Sequence, residues 1–224
     1  MIVLHHLNNS RSQRVLWMLE ELGLPYEIRP YQRDARTMLA PPELRQVHPL
    51  GKSPVIEDQG RVLAESGAIV QYLAETYARE RLIPPAGSDA YWRYVYWMHF
   101  AEGTAMPPLL MKLVFGRMKK APMPFFVKPI ARAIADKALG WIVEPNLARH
   151  LAYMEGELAK RDWFAGDAFS AADIQMSFPL EASAARGGLN EQSAPRLAGF
   201  LKRIHARPAY LRAIEKGGKY ALMG

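Results

Sequence analysis

Ser10 stands where a hydroxyl could do chemistry, between the turn residues Asn8 and Asn9 and a run over residues 11–22 in which Val15, Leu16, Met18, Leu19 and Leu22 recur at helical steps before Gly23. A group placed there lies near unpaired backbone N–H groups and the positive end of the helix, which favour an anion. The same stretch also fits a capping box, Ser10-x-x-Gln13, in which the serine only closes the helix end. Other motifs fail on their spacing. Gly51-Lys52-Ser53 resembles the end of a phosphate loop, but Gln46 stands where that loop needs glycine, and Pro54 would block the helix that follows. His5-His6 has no companion pattern of metal ligands, so no metal is expected. No Gly-x-Ser-x-Gly elbow is present to organise a hydrolase triad.

Composition narrows the chemistry further. The chain of 224 residues, half of them apolar, is long enough for one or two packed domains. It holds no cysteine, which excludes disulfides, thiolate metal sites and an enzyme-borne cysteine nucleophile, so any thiol chemistry must use a borrowed thiol. No secretory leader or membrane span is read at the start or elsewhere, and a cytoplasmic protein is expected. The 29 Lys and Arg against 22 Asp and Glu leave a surplus of +7, dense in Arg117, Lys119, Lys120, Lys128, Arg132 and Lys137. Such a segment reads as a solvated basic face, or as a surface for anionic substrates or peripheral association with anionic membranes. Neither zinc-finger spacing nor an RRM-type aromatic motif points to nucleic acid.

The elements that must position these residues follow from periodicity. Residues 2–7 form a strand, 11–22 a helix and 26–30 a second strand, a βαβ unit whose strands are parallel. Two prolines and His48-Pro49 allow only a short helix within residues 41–50. Residues 53–57 and 61–64 read as an antiparallel hairpin, and Ser66 opens a helix through Tyr77. The order is βαβαββα. Past a Pro-rich linker only helices are read: one through Phe100 to Leu113, one over residues 129–158, one from near Ser170, and two short ones at 197–205 and 210–216. Three divisions follow: residues 1–80 as an α/β domain, 81–89 as linker and 90–224 as an all-α domain. Residues 112–128 have no assigned structure.

Leu50-Gly51-Lys52-Ser53-Pro54-Val55-Ile56, followed by Leu63-Ala64-Glu65-Ser66-Gly67-Ala68-Ile69, resembles the cytosolic glutathione transferases. Asn9-Ser10-Arg11-Ser12-Gln13-Arg14 is similar to their serine-type active-site segment, and residues 164–174 to a capping box closed by Ser170 and Asp173. The resemblance implies a thioredoxin-like N-terminal domain, an all-helical C-terminal domain, a homodimer, and glutathione as co-substrate without a metal. It makes Ser10 the catalytic residue. Glu65 would pair with the ammonium of glutathione, and Ser66 with its γ-glutamyl carboxylate. Ser53, before a Pro54 that the family holds cis, would offer its backbone to the cysteinyl part, its side chain mattering little. Lys52 and His48 could hold the glycyl carboxylate.

The chemistry then expected is attack of glutathione thiolate on a small electrophilic or apolar substrate. Ser10 acts as a hydrogen-bond donor to sulfur and not as a base, with Asn9 or Ser12 as possible assistants. Tyr94, Trp97, Met111 and Phe115 are the candidates for the electrophile pocket, with Met111, Phe115, Met123 and Phe125 as a lid. Glutathione-dependent peroxidase or thiolyase work uses the same thiolate, and a non-catalytic binding scaffold is the rival from another class.

Overall fold

A computed structural model describes residues 1–34 and 36–223. β1 (Ile2–Leu7) leads into α1 (Ser12–Leu22), which ends where Gly23 turns left-handed at φ 68° and donates its N–H to the Leu19 carbonyl. β2 (Tyr26–Tyr31) returns parallel to β1, with Ile2 opposite Tyr26 and Leu7 opposite Tyr31. After the short α2 (Leu44–Val47), β3 (Val55–Asp58) runs antiparallel to β1, and β4 (Arg61–Ala64) folds back on it. Gln59 and Gly60, at φ 48° and 77°, supply the left-handed pair that a tight two-residue hairpin turn demands. The sheet order is β2-β1-β3-β4, and α3 (Ser66–Tyr77) follows β4. This is the thioredoxin-like arrangement.

Helices make up the rest. α4 (Arg79–Leu82) is a single turn, and α5 (Asp89–Phe100) opens at Ser88, whose hydroxyl accepts the Tyr91 N–H at 3.1 Å. A π-helical turn, Ala101–Ala105, joins α5 to α6 (Met106–Lys120), so helix continues well beyond the expected end near Leu113. The unassigned stretch at 112–128 is therefore mostly helix, and only residues 121–127 connect α6 to α7 (Lys128–Ala138). A second π-helical turn, Leu139–Val143, leads into α8 (Glu144–Leu158). α9 (Ala171–Arg186) starts at the Ser170–Asp173 capping box, and α10 (Pro195–His205) and α11 (Pro208–Gly217) close the bundle. Burial pushes the Asp173 carboxyl up to about 6, although it accepts the N–H groups of Phe164 and Ser170 at 2.9 and 2.8 Å.

One core serves both halves. α1 is buried from Ser12 to Glu20, and it packs on the sheet strand β1, on α3, on α9 and on α11. Trp17 meets the ring of Tyr210 edge-on at 5.2 Å and that of Phe169 at 5.8 Å. Truncating it to alanine would destabilise the fold by about 3–5 kcal/mol. The exit of α1 is pinned by charge. Glu20 accepts from Arg212 at 2.7 Å and Lys216 at 2.5 Å, and Glu21 from Arg207 at 2.6 Å. Burial would raise the Glu20 pKa, but hydrogen bonds from Lys216, Tyr26 and Arg212 outweigh it and hold the carboxyl below its usual range. A smaller cluster of Met106, Leu109, Val143, Leu147, Phe178 and Ala182 lies under α6 and α9.

Candidate active site

Ser10 sits between the carboxyl end of β1 and the start of α1, where loops of an α/β sheet gather ligands. Its hydroxyl lies 2.8 Å from the Leu7 carbonyl, to which it donates, and accepts the backbone N–H of Ser12 at 3.1 Å. The capping box expected with Gln13 does not form. α1 begins two residues later, and the Gln13 amide nitrogen is buried without a hydrogen-bond partner. Ser12 instead continues a chain of hydroxyls: its Oγ is 3.0 Å from that of Ser10 and 2.8 Å from Nδ1 of His6. The other ring nitrogen of His6 faces the Gly217 carbonyl at 3.2 Å, which makes Nε2 the donor and Nδ1 the acceptor. Burial lowers the His6 pKa, and the neutral ring suits that tautomer.

Across from Ser10, the Ser53–Pro54 bond is cis. The Ser53 side chain matters more than its sequence context suggests, because its Oγ donates to the His5 carbonyl at 2.8 Å and accepts the Leu7 N–H at 3.1 Å. It thus stands in for a strand residue beside β1. Ser66, at the first turn of α3, is buried and accepts from Nη2 of Arg14 at 2.6 Å, which leaves its own hydrogen free for a ligand. Glu65 precedes it with an exposed side chain and a backbone φ of 68°, a strained value for a residue with a Cβ.

Arg14 itself is buried at 2 % exposure. Its Nη1 donates to the Gln175 carbonyl at 2.6 Å, and Nη2 also reaches Glu102 on the π-helical turn. Arg11 holds both oxygens of that carboxylate at 2.8 and 2.9 Å and stacks over Phe178 at 5.1 Å. Burial pushes the Glu102 carboxyl up, but the two arginines more than offset it and keep it below the usual range. Arg14 and Glu102 were given no role by sequence reasoning. A π-helical turn inside a long helix is a frequent mark of a functional site, but nothing in residues 101–105 announces it.

Two cavities open on this framework. The first, of about 290 Å³, is lined by His48, Lys52, Ser53, Pro54, Glu65 and Ser66 together with Arg11, Glu102 and Leu110. All six residues expected to hold glutathione are thus brought together. The second, of about 400 Å³, contains Ser10 and is walled by Met106, Leu110, Leu113 and Phe178, with several arginines. The cavities share Arg11 and Leu110. The expected electrophile residues are elsewhere. Tyr94 and Trp97, at 3 % and 1 % exposure, are core residues of α5, because that face packs against α9. Met111 and Phe115 pack against the smaller cluster and line neither cavity, and Phe125, 86 % exposed, covers nothing. Leu110 and Leu113 of α6 face the cavity instead, one and two positions away from the residues expected. No group of three or more side chains able to hold a metal ion is found among the described residues.

Similarity to known proteins runs along nearly the whole chain. The family model described as glutathione S-transferase, N-terminal domain, matches residues 1–75, and that described as the C-terminal domain matches residues 108–208. Glutathione S-transferase 1 of Saccharomyces cerevisiae is 36% identical over 222 residues, covering 96% of this chain and 94% of that one. Glutathione S-transferase 3 of Schizosaccharomyces pombe is 38% identical, with 96% and 88% covered. Among solved structures, a glutathione S-transferase from Actinobacillus pleuropneumoniae superposes with a TM-score of 0.76 at 34% identity over 100% of this chain and 96% of that one. A sphingomonad glutathione S-transferase complexed with glutathione gives a TM-score of 0.72 at 26% identity, with 96% and 98% covered. The fold is that of a two-domain transferase, thioredoxin-like half first and helical half second. The chain belongs to the glutathione S-transferase family, and glutathione is its co-substrate.

Proposed function

We propose that the protein transfers glutathione to an electrophile by holding the tripeptide in the first cavity, with its sulfur ionised beside Ser10. The placement of Ser10 in the second cavity, next in sequence to Arg11, which lines both, carries this reading. Glu65 pairs with the ammonium, and the Ser66 hydroxyl, freed by Arg14, donates to the γ-glutamyl carboxylate. Ser53 offers its backbone N–H and C=O, neither of which makes a backbone hydrogen bond among the described residues. Lys52 and His48 face the glycyl end.

The energetics are adequate. A free thiol of pKa about 8.5 is only a few per cent thiolate at pH 7, and each unit of lowering needs about 1.4 kcal/mol of preference for the anion. To donate to sulfur, the Ser10 hydroxyl must leave the Leu7 carbonyl. It exchanges a neutral bond of about 1 kcal/mol for a charged one of about 2–3 kcal/mol. The helix start adds about 0.3–1 kcal/mol. Together these lower the thiol pKa by about one to two units, of which Ser10 supplies about one. Ser12, hydrogen-bonded to His6, orients Ser10 through its N–H, whereas the Asn9 Oδ1 accepts the Ala221 N–H at 2.6 Å. The sulfur then attacks electrophilic carbon and the leaving group departs with its electron pair.

The test is titration of the ultraviolet thiolate band of bound glutathione in the parent and in Ser10→Ala. The pKa of the bound thiol should rise by about one unit in the variant, with glutathione affinity largely kept. Identical titrations would show that Ser10 only closes the start of α1. The division into residues 1–80, 81–89 and 90–224, a cytoplasmic location and a homodimer belong to the same proposal. Trp92 and Tyr96, exposed on α5, offer apolar surface for a second copy, and sedimentation should give about twice the chain mass of 25.3 kDa.

A further inference from the structure

The cavity beside Ser10 combines apolar walls from α6 and α9 with four arginines, Arg11, Arg33, Arg117 and Arg186, and no carboxylate lines it among the described residues. Arg11 is neutralised by Glu102. The other three are not. The Arg33 guanidinium donates, among the described residues, to the backbone carbonyls of Asn8, Asn9 and Met38. Neither Arg117 nor Arg186 has an ion-pair partner among the described residues, and Nε of Arg186 is buried with no hydrogen bond at all. Burial lowers the pKa of Arg33 and Arg186, and the fields of Arg11 and Arg117 add to it, while Tyr220 opposes it at Arg186.

The imbalance continues outward. Leu113, Arg117 and Arg186 also border an adjoining cavity of about 790 Å³. Its two carboxylates are already faced by lysines, Glu144 by Lys112 at 3.6 Å and Asp136 by Lys119 at 2.5 Å. Withdrawing the Arg186 Nε from water without an anion is unfavourable, and the planar fork of a guanidinium matches a carboxylate. A cavity meant for a wholly apolar electrophile would gain nothing from three unbalanced arginines beside Met106, Leu110 and Phe178.

We infer that the electrophile is an organic anion, an apolar body lying against α6 and α9 with a carboxylate received by Arg117 and Arg186 and its reactive carbon turned toward Ser10. Resting on the proposed thiolate at Ser10, the reaction forms a bond from sulfur to that carbon and breaks the bond to the leaving group, which takes the electron pair. The carboxylate is unchanged. It serves only as the handle that orients the substrate.

A matched pair of aryl chlorides tests this: a chlorodinitrobenzoate and the corresponding chlorodinitrobenzamide, each reacting by displacement of chloride and each normalised to its uncatalysed rate with glutathione. The parent should favour the anion by at least about tenfold in kcat/KM, as one or two charge-assisted contacts would give. Arg186→Met should lower the anion-to-amide ratio about tenfold. Arg117→Gln, at an exposed position where folding is not in question, should lower it several-fold. A parent ratio near one, or a ratio that neither variant moves, overturns the inference. If the parent turns over the amide but shows no preference for the anion, the charge reading alone falls. Turnover of neither compound removes the transferase proposal and this inference with it.

Discussion

The two cavities meet at Arg11 and Leu110, yet they are assembled in opposite ways. The first comes mostly from one stretch, residues 48–66, in which turns, a cis-proline and a helix start present backbone and short side chains. The second gathers long side chains from positions as distant as Asn9 and Leu222. Short groups fixed by backbone suit a ligand that never changes, while methionine, leucine and arginine side chains can repack around varied partners. The first cavity is therefore the constant half of the reaction and the second the adjustable half.

Arg14 is the sharpest place to break that contrast, because it supports the constant half from within the core. Arg14→Leu strands a buried Gln175 carbonyl and weakens the hold on Glu102 and Ser66. Stability to urea should fall by about 3 kcal/mol, the low end for removing one member of a buried pair, since Arg11 still faces Glu102. A loss under 1 kcal/mol would mean that the two halves are joined by apolar packing alone. Ser66→Ala comes next. Glutathione affinity should drop about tenfold by calorimetry, in line with one hydrogen bond to a charged group, while the order of preference among electrophiles is kept. A changed order would show that the cavities are not independent.

A pH effect follows from His6. Its folded pKa lies below its usual 6.5, so its contribution to stability is complete above pH 6.5 and is lost as pH falls through the folded value. Melting temperature should decline between pH 7.5 and pH 5.5 in the parent and less so in His6→Asn. Equal declines would assign the effect to other groups. Lys52→Met should have the smallest effect. Lys52 is exposed at the rim, and glutathione affinity should weaken about two- to threefold at low salt and hardly at all near physiological ionic strength.

What could be read from the residues divides along the same line. The βαβ unit, the Gly23 stop, the hairpin turn and the Ser170–Asp173 cap depend on neighbours in sequence, and their signals are local. Of the six residues expected around the first cavity, five fall in two short motifs, 50–56 and 63–69, and His48 stands two residues before the first. The second cavity was not legible in this way. On an amphipathic helix many faces are apolar, and only packing decides that Leu110 and Leu113 line a cavity while Met111 and Phe115 pack against the cluster beneath α6. Trp97 looked like substrate surface and is core, because bulk and aromaticity serve both uses. Glu102 was silent because its partners, Arg11 and Arg14, lie about ninety residues away in sequence.

The burial of α1 against α9 and α11 also limits how such a protein can be recombined. A chimera cut at the linker would set one parent's α1 against another parent's α11, mismatching Trp17 with residue 210 and Glu20 with residues 212 and 216. Exchanging electrophile preference between relatives is safer as a smaller graft, with α6 moved alone and α11 left with the α1 it packs against.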